Sequence, residues 1–99
     1  MSSLKWSATV SDDLQRIAEY IREYNPAKEQ ETVGFIIDKT NILLQYPRVG
    51  QRRETAANGT ELRTLLVSKR YRVLYDVTLA DDIEILQVLD LRSDQSFYR

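Results

Sequence analysis

Apolar and polar positions alternate with a period of two in the C-terminal half of this chain and recur every three or four residues in the N-terminal half. In Tyr71-Arg72-Val73-Leu74-Tyr75-Asp76-Val77, Tyr71, Val73, Tyr75 and Val77 alternate with Arg72, Leu74 and Asp76, which predicts a strand with two unlike faces. A second candidate, Leu62 to Val67, precedes it. A third, Ile83 to Leu91, follows and is rich in branched side chains suited to a pleated surface. Ser68-Lys69-Arg70 closes the first hairpin and Thr78 to Asp82 the second. Three strands linked this way form an antiparallel meander, with one face for helices and the other for solvent or a ligand. Arg63, Arg72 and Arg92 are expected together on that second face.

Upstream, Leu4 to Ala8 predicts a short first strand with Leu4, Trp6 and Ala8 on one side and Trp6 as a core anchor. Ser11 is the expected helix N-cap, with Asp12 and Asp13 in the first turn opposing the helix dipole. Leu14, Ile17, Ala18 and Ile21 then form the stripe of an amphipathic helix ending near Tyr24. Asn25-Pro26 restarts the chain as a second helix reaching about Leu44. Val33, Ile36, Ile37, Thr40 and Leu44 sketch its inner face, with Leu43 at the margin. Gly34 within it fits a close approach of the two helices. So short a link implies an antiparallel helical hairpin, whose apolar face needs the sheet. Pro47 and Gly50 end the helix, and an irregular stretch is expected up to Gly59. The fold class is α+β: a helical hairpin on one face of a small, mainly antiparallel sheet.

The chain's 99 residues correspond to one domain, residues 1–99, large enough for a single core. With 42% apolar and 29% charged residues it has the composition of a globular protein. No apolar run is long enough to span a bilayer and Met1-Ser2-Ser3-Leu4 lacks a signal peptide's apolar segment, so a cytoplasmic protein is expected. Cysteine and histidine are absent, which excludes disulfides, the usual zinc sites and Ser-His or Cys-His nucleophiles. No metal and no cofactor are expected.

The net charge of −1 is unevenly distributed. From Arg48 to Arg72, Arg48, Arg52, Arg53, Arg63, Lys69, Arg70 and Arg72 cluster against Glu54 and Glu61 alone, whereas from Val73 to the end six acids meet two arginines. Such a basic segment suits phosphates or an acidic partner; a solvated face would look the same. Nothing matches a phosphate loop, a dinucleotide fingerprint or a nucleophile elbow. Asp12-Asp13 and Asp81-Asp82 sit at a helix start and a turn. What remains is the arginine set with Tyr98. Arginines can steady a pentavalent phosphorane through bidentate contacts, and a tyrosine can assist proton transfer if cations lower its pKa from about 10. The competing reading has the strand arginines paired with Asp76, Glu84 or Asp90.

The motifs occur in a recognisable order. Ser-Asp-Asp-Leu-x-x-Ile-x-x-Tyr-Ile spans residues 11–21, followed by Asn25-Pro26 and Tyr46-Pro47-x-x-Gly50. Gly59-Thr-Glu-Leu-Arg63, Tyr71-Arg72-Val-Leu-Tyr75 and Ile85-Leu-x-Val-Leu-x-x-Arg92 complete it. This order resembles the RelE/ParE superfamily of toxins from type II toxin-antitoxin modules over nearly the whole chain. The resemblance implies a βααβββ fold, a cognate antitoxin as partner, and growth arrest by free toxin, in a homodimer or a toxin-antitoxin hetero-oligomer. ParE-like members poison DNA gyrase without catalytic residues, and the N-terminal half is closer to these. RelE-like members cut messenger RNA in the ribosome, for which Arg72, Arg92 and Tyr98 would be the catalytic set. The chain departs from both branches in having Asp90 and Leu91 where a histidine and glycine often precede the final arginine. A third alternative is a non-toxic module that binds an antitoxin and stabilises a plasmid. Arg48, Arg52, Arg53 and Arg63 are the expected contacts to target or antitoxin.

Overall fold

Tyr71, Val73, Tyr75 and Val77 are buried while Arg72, Leu74 and Asp76 are half-buried, so the period-two pattern becomes the two faces of a central strand. The computed structural model describes residues 3–91. Its elements are β1 (Leu4–Trp6), α1 (Ala8–Tyr24), α2 (Glu29–Thr40), β2 (Gln51–Thr55), β3 (Glu61–Leu66), β4 (Tyr71–Val77) and β5 (Ile83–Asp90). They build one sheet in the order β1-β5-β4-β3-β2, with β1 parallel to β5 and the other pairs antiparallel. The helical hairpin covers the Tyr75 side. Val10, Ile17 and Ile21 of α1, Ile36 of α2 and Leu43 just beyond it meet Leu65, Val73, Tyr75, Ile85 and Val88 in the core. Each fully buried aliphatic side chain stabilises by roughly 1.5–3 kcal/mol. Few such residues therefore suffice to hold the helices down.

The second helical segment begins and ends in 3₁₀ turns, Pro26–Lys28 and Asn41–Leu44, so it covers the span expected from sequence. The tighter final turn rotates Leu43 into the core and leaves Leu44 43% exposed, reversing their expected roles. The stretch expected to be irregular before Gly59 contains β2, so the sheet gains a strand over the expected βααβββ order. All five residues of β2 are exposed, and pairing to β3 rather than apolar alternation makes them a strand.

The first helix also starts earlier than expected, and the sheet supplies the reason. β1 ends where Trp6 pairs with Ile85, leaving the edge of β5 beyond it without a strand partner. The start of α1 takes over. The Ser7 amide donates to the Ile85 carbonyl at 2.9 Å and the Thr9 hydroxyl to Leu86 O at 3.3 Å. Leu86 is the extra residue of a bulge against β4, and its carbonyl accepts that contact. Asp13, only 7% exposed, accepts the Val88 amide at 3.0 Å and Arg16 Nη2 at 2.6 Å. Ser11 therefore lies inside the helix and Ser7 takes the N-cap position, while Asp13 satisfies a buried strand amide rather than opposing the helix dipole.

At the other side of the sheet a buried phenol plays the corresponding part. The Tyr75 hydroxyl, on a side chain with no solvent exposure, donates to Pro47 O at 2.9 Å and accepts the Gly50 amide at 3.0 Å. The two bonds pin the turn between α2 and β2 onto β4. Glycine is required at position 50 by close approach: a Cβ there would lie 2.5 Å from Thr64 O and 2.6 Å from the Tyr75 hydroxyl. Tyr75→Phe leaves the buried Gly50 amide and the half-buried Pro47 carbonyl without this partner, and such a loss costs about 1–3 kcal/mol. Urea unfolding is expected to show a destabilisation of that size, and an unchanged midpoint would contradict the role assigned to the hydroxyl.

Candidate functional site

The arginines expected on one open face are divided between two. Cross-strand partners share a face, and Arg63 pairs with Tyr75 whereas Arg72 pairs with Leu66 and Leu89. Arg63 therefore lies on the Tyr75 side and Arg72 on the opposite side, as the even spacing of β4 and the β3–β4 register require. Arg92 and Tyr98 lie outside the described residues.

Arg63 and Arg48 are structural in this arrangement. Arg63 Nε donates to Glu61 at 2.7 Å while its Nη1 reaches Arg48 O and Gly50 O, binding the turn a second time. Arg48 reaches over the β4–β5 hairpin to the Asp81 carboxylate and to Thr78 O, with Glu61 Oε1 at 3.5 Å. The hydrogen bond from Arg63 holds the Glu61 carboxyl below its usual range, and the bond to Asp81 holds the Arg48 guanidinium above its own. Of the four arginines expected to contact a target or antitoxin, Arg48 is exposed but paired to Asp81, and Arg52 and Arg53 are exposed on β2 at the edge of the sheet. The β2–β3 register shifts between Arg52 and Glu54, so Arg53 sits on a bulge, with its Nη1 3.3 Å from Gln51 Oε1.

Two depressions lie on the surface of the described residues. The first lies between α1 and α2 and is lined by Leu14, Ala18, Val33, Gly34 and Ile37, with Gln15, Glu29 and Gln30 at its rim. Gly34 does not mark a close helix contact as expected, because a Cβ added to it meets nothing within 4 Å. It widens an apolar groove instead. The second depression joins Tyr20, Tyr24, Lys28, Arg70 and Tyr71 at the opposite end of β4 from the Pro47–Gly50 turn. Sequence reasoning placed Tyr20 and Tyr24 beside a buried stripe and Arg70 in a hairpin. The one signal that could have joined them was two tyrosines four residues apart near a helix end.

The fold of the described residues matches known structures. A chain from the solved chromosomal ParDE TA system of P. aeruginosa superposes with a TM-score of 0.74 at 24% sequence identity, over 91% of this chain and 96% of that one. At that identity the likeness establishes the fold. A comparison with curated proteins finds no match. The family model described as "ParE toxin of type II toxin-antitoxin system, parDE" matches residues 4–95.

The outer face carries an electrostatic conflict that sets a pH dependence. Asp76 stands directly opposite Glu84 in the β4–β5 pair. Burial, and then the Glu84 charge, push the Asp76 carboxyl above its usual range. The folded state therefore holds the Asp76 proton more tightly than the unfolded chain does, and this residue opposes folding once pH rises through that raised value. Asp76→Asn is expected to raise the melting temperature near neutral pH, with the gain shrinking as acid protonates Asp76 in the parent. Melting curves from pH 3 to 8, on the order of the carboxylate range and above, measure this, and an equal gain at every pH would refute it.

Proposed function

The chain belongs to the ParE toxin family of type II toxin-antitoxin systems, and from that premise we propose that it arrests growth by binding DNA gyrase as a protein inhibitor until a cognate antitoxin covers it. The match over residues 4–95 is the observation that carries this reading. One feature of the chain supports an inhibitor over a ribosome-dependent nuclease: the net charge of −1 is unsuited to a site among ribosomal phosphates, where cations supply much of the affinity. Gyrase places the action in the cytoplasm.

The antitoxin is an amphipathic segment in this reading. Its apolar side enters the groove of Leu14, Ala18, Val33, Gly34 and Ile37, and its acidic residues reach Arg52 and Arg53. The product is a toxin-antitoxin hetero-oligomer. A supercoiling assay tests the target: purified chain is expected to inhibit gyrase, and added antitoxin to relieve the inhibition. Normal supercoiling at large molar excess of folded chain would remove gyrase from the reading. Position 34 tests the groove. Gly34→Ala adds a side chain in open space and is expected to stabilise the helix by about 0.5–1 kcal/mol. Gly34→Leu fills the groove and is expected to weaken antitoxin binding by about tenfold or more, a loss of about 1.4 kcal/mol; unchanged affinity would place the antitoxin elsewhere.

A further inference from the structure

The cleft at the end of α1 has a different chemistry from the apolar groove. It is about 400 Å³ in volume and lies between the last turn of α1, the Pro26–Lys28 turn and the β3–β4 hairpin. The Arg70 guanidinium lies 5.6 Å from the Tyr20 ring centroid and 5.5 Å from that of Tyr71, so it is slotted between two aromatic walls. Tyr24 extends the wall, its ring centroid 4.6 Å from that of Tyr20, and is 68% exposed. The buried Arg70 Nε is without a hydrogen bond but within ion-pair reach of Asp90, while about a third of the Arg70 side chain stays exposed to a ligand (32%). The guanidinium is pre-oriented, with little rotamer freedom left to lose on binding.

Charge limits what can enter. Lys28 already meets Glu31 at 3.2 Å, and Asp90 lies within ion-pair distance of Arg70 at 3.8 Å. The cleft therefore offers cationic character matched to one carboxylate and not to a run of phosphates. We propose that this cleft is a carboxylate-recognition subsite for an acidic antitoxin segment: Arg70 takes one Asp or Glu side chain, and a neighbouring apolar side chain of the same segment covers the Tyr24 ring. Planar, bidentate pairing is what arginine provides and lysine does not. The subsite rests on the antitoxin reading above and assigns that partner a second contact, separate from the groove at Gly34.

Calorimetric titration of the full chain with its antitoxin tests this, using Arg70→Gln, Arg70→Lys and Tyr24→Ala beside the parent, with thermal melting as a check on folding. Each variant is expected to weaken binding by about tenfold, and Arg70→Gln to flatten the dependence of affinity on salt. Arg70→Lys keeps the charge and loses the fork, so a loss in that variant separates bidentate recognition from general attraction. If Arg70→Gln melts early, Tyr24→Ala decides, because its ring is largely in solvent. Tight binding indifferent to Tyr24 and to Arg70→Lys overturns the subsite alone. No binding by the parent chain overturns the antitoxin reading and the subsite together.

Discussion

A single phenolic hydroxyl in the core sets the geometry of the half of the molecule that follows the helices. Tyr75 cannot be buried without satisfying its O–H, and Pro47 O and Gly50 N are the groups within reach. Because those groups belong to the turn after α2, the chain must leave the helical hairpin at that point and in that direction. β2 then runs antiparallel to β3 because the turn delivers it there, and not because its own sequence favours a strand. Arg63 reinforces the same turn through the carbonyls of Arg48 and Gly50, and Arg48 carries the constraint on to the β4–β5 hairpin at Thr78 and Asp81. One buried polar group thus orders a chain of contacts running from the centre of the sheet to its edge. Burial also raises the Tyr75 pKa, so the phenol stays neutral and keeps its donor over the physiological range.

The opposite edge of the sheet solves a different problem with similar means. β1 is three residues long and covers only the first part of β5. An uncovered strand edge inside a packed protein would bury unpaired amides and carbonyls. Ser7, Thr9 and Asp13 supply polar atoms from the first turns of α1, so the helix continues the role of the strand it follows. α1 is therefore tied to β5 by hydrogen bonds as well as by Val10, Ile17 and Ile21. The helical hairpin is consequently fixed in register on the sheet, which keeps the groove beside Gly34 and the cleft beside Arg70 in constant relation.

Most of this architecture was legible in the sequence, and the parts that were not share a cause. The strands from residue 61 to 90 and the stripe Leu14, Ile17, Ala18, Ile21 carry their own periodicity. β2 does not: Gln51-Arg52-Arg53-Glu54-Thr55 is polar on both faces, and only the partner strand makes it β. The start of α1 was misplaced because Ser11-Asp12-Asp13 has the composition of a helix cap, whereas the amide that claims Asp13 is 75 residues away in the chain. Glycine inside a helix usually signals tight packing, yet Gly34 borders open space. The division of Arg63 from Arg72 was available in principle, since strand parity and hairpin register fix the face of each residue. Recurrence of one residue type along a meander says nothing about faces until that register is known.

This division also bears on which residues of the family pattern carry function. Tyr46-Pro47-x-x-Gly50, Arg63 and Tyr75 are among the most recognisable parts of the chain, and in the structure the last four support the fold. A motif of that kind identifies the scaffold without naming a target. In the proposed reading, specificity comes from side chains the scaffold does not need: Arg52 and Arg53 on an exposed edge, the apolar groove at Gly34, and the tyrosines around Arg70. Such surfaces can change without disturbing Tyr75 or Asp13, which lets one fold serve different partners. For a chain of net charge −1, scattered contacts of this sort suit recognition of proteins better than of a phosphate backbone.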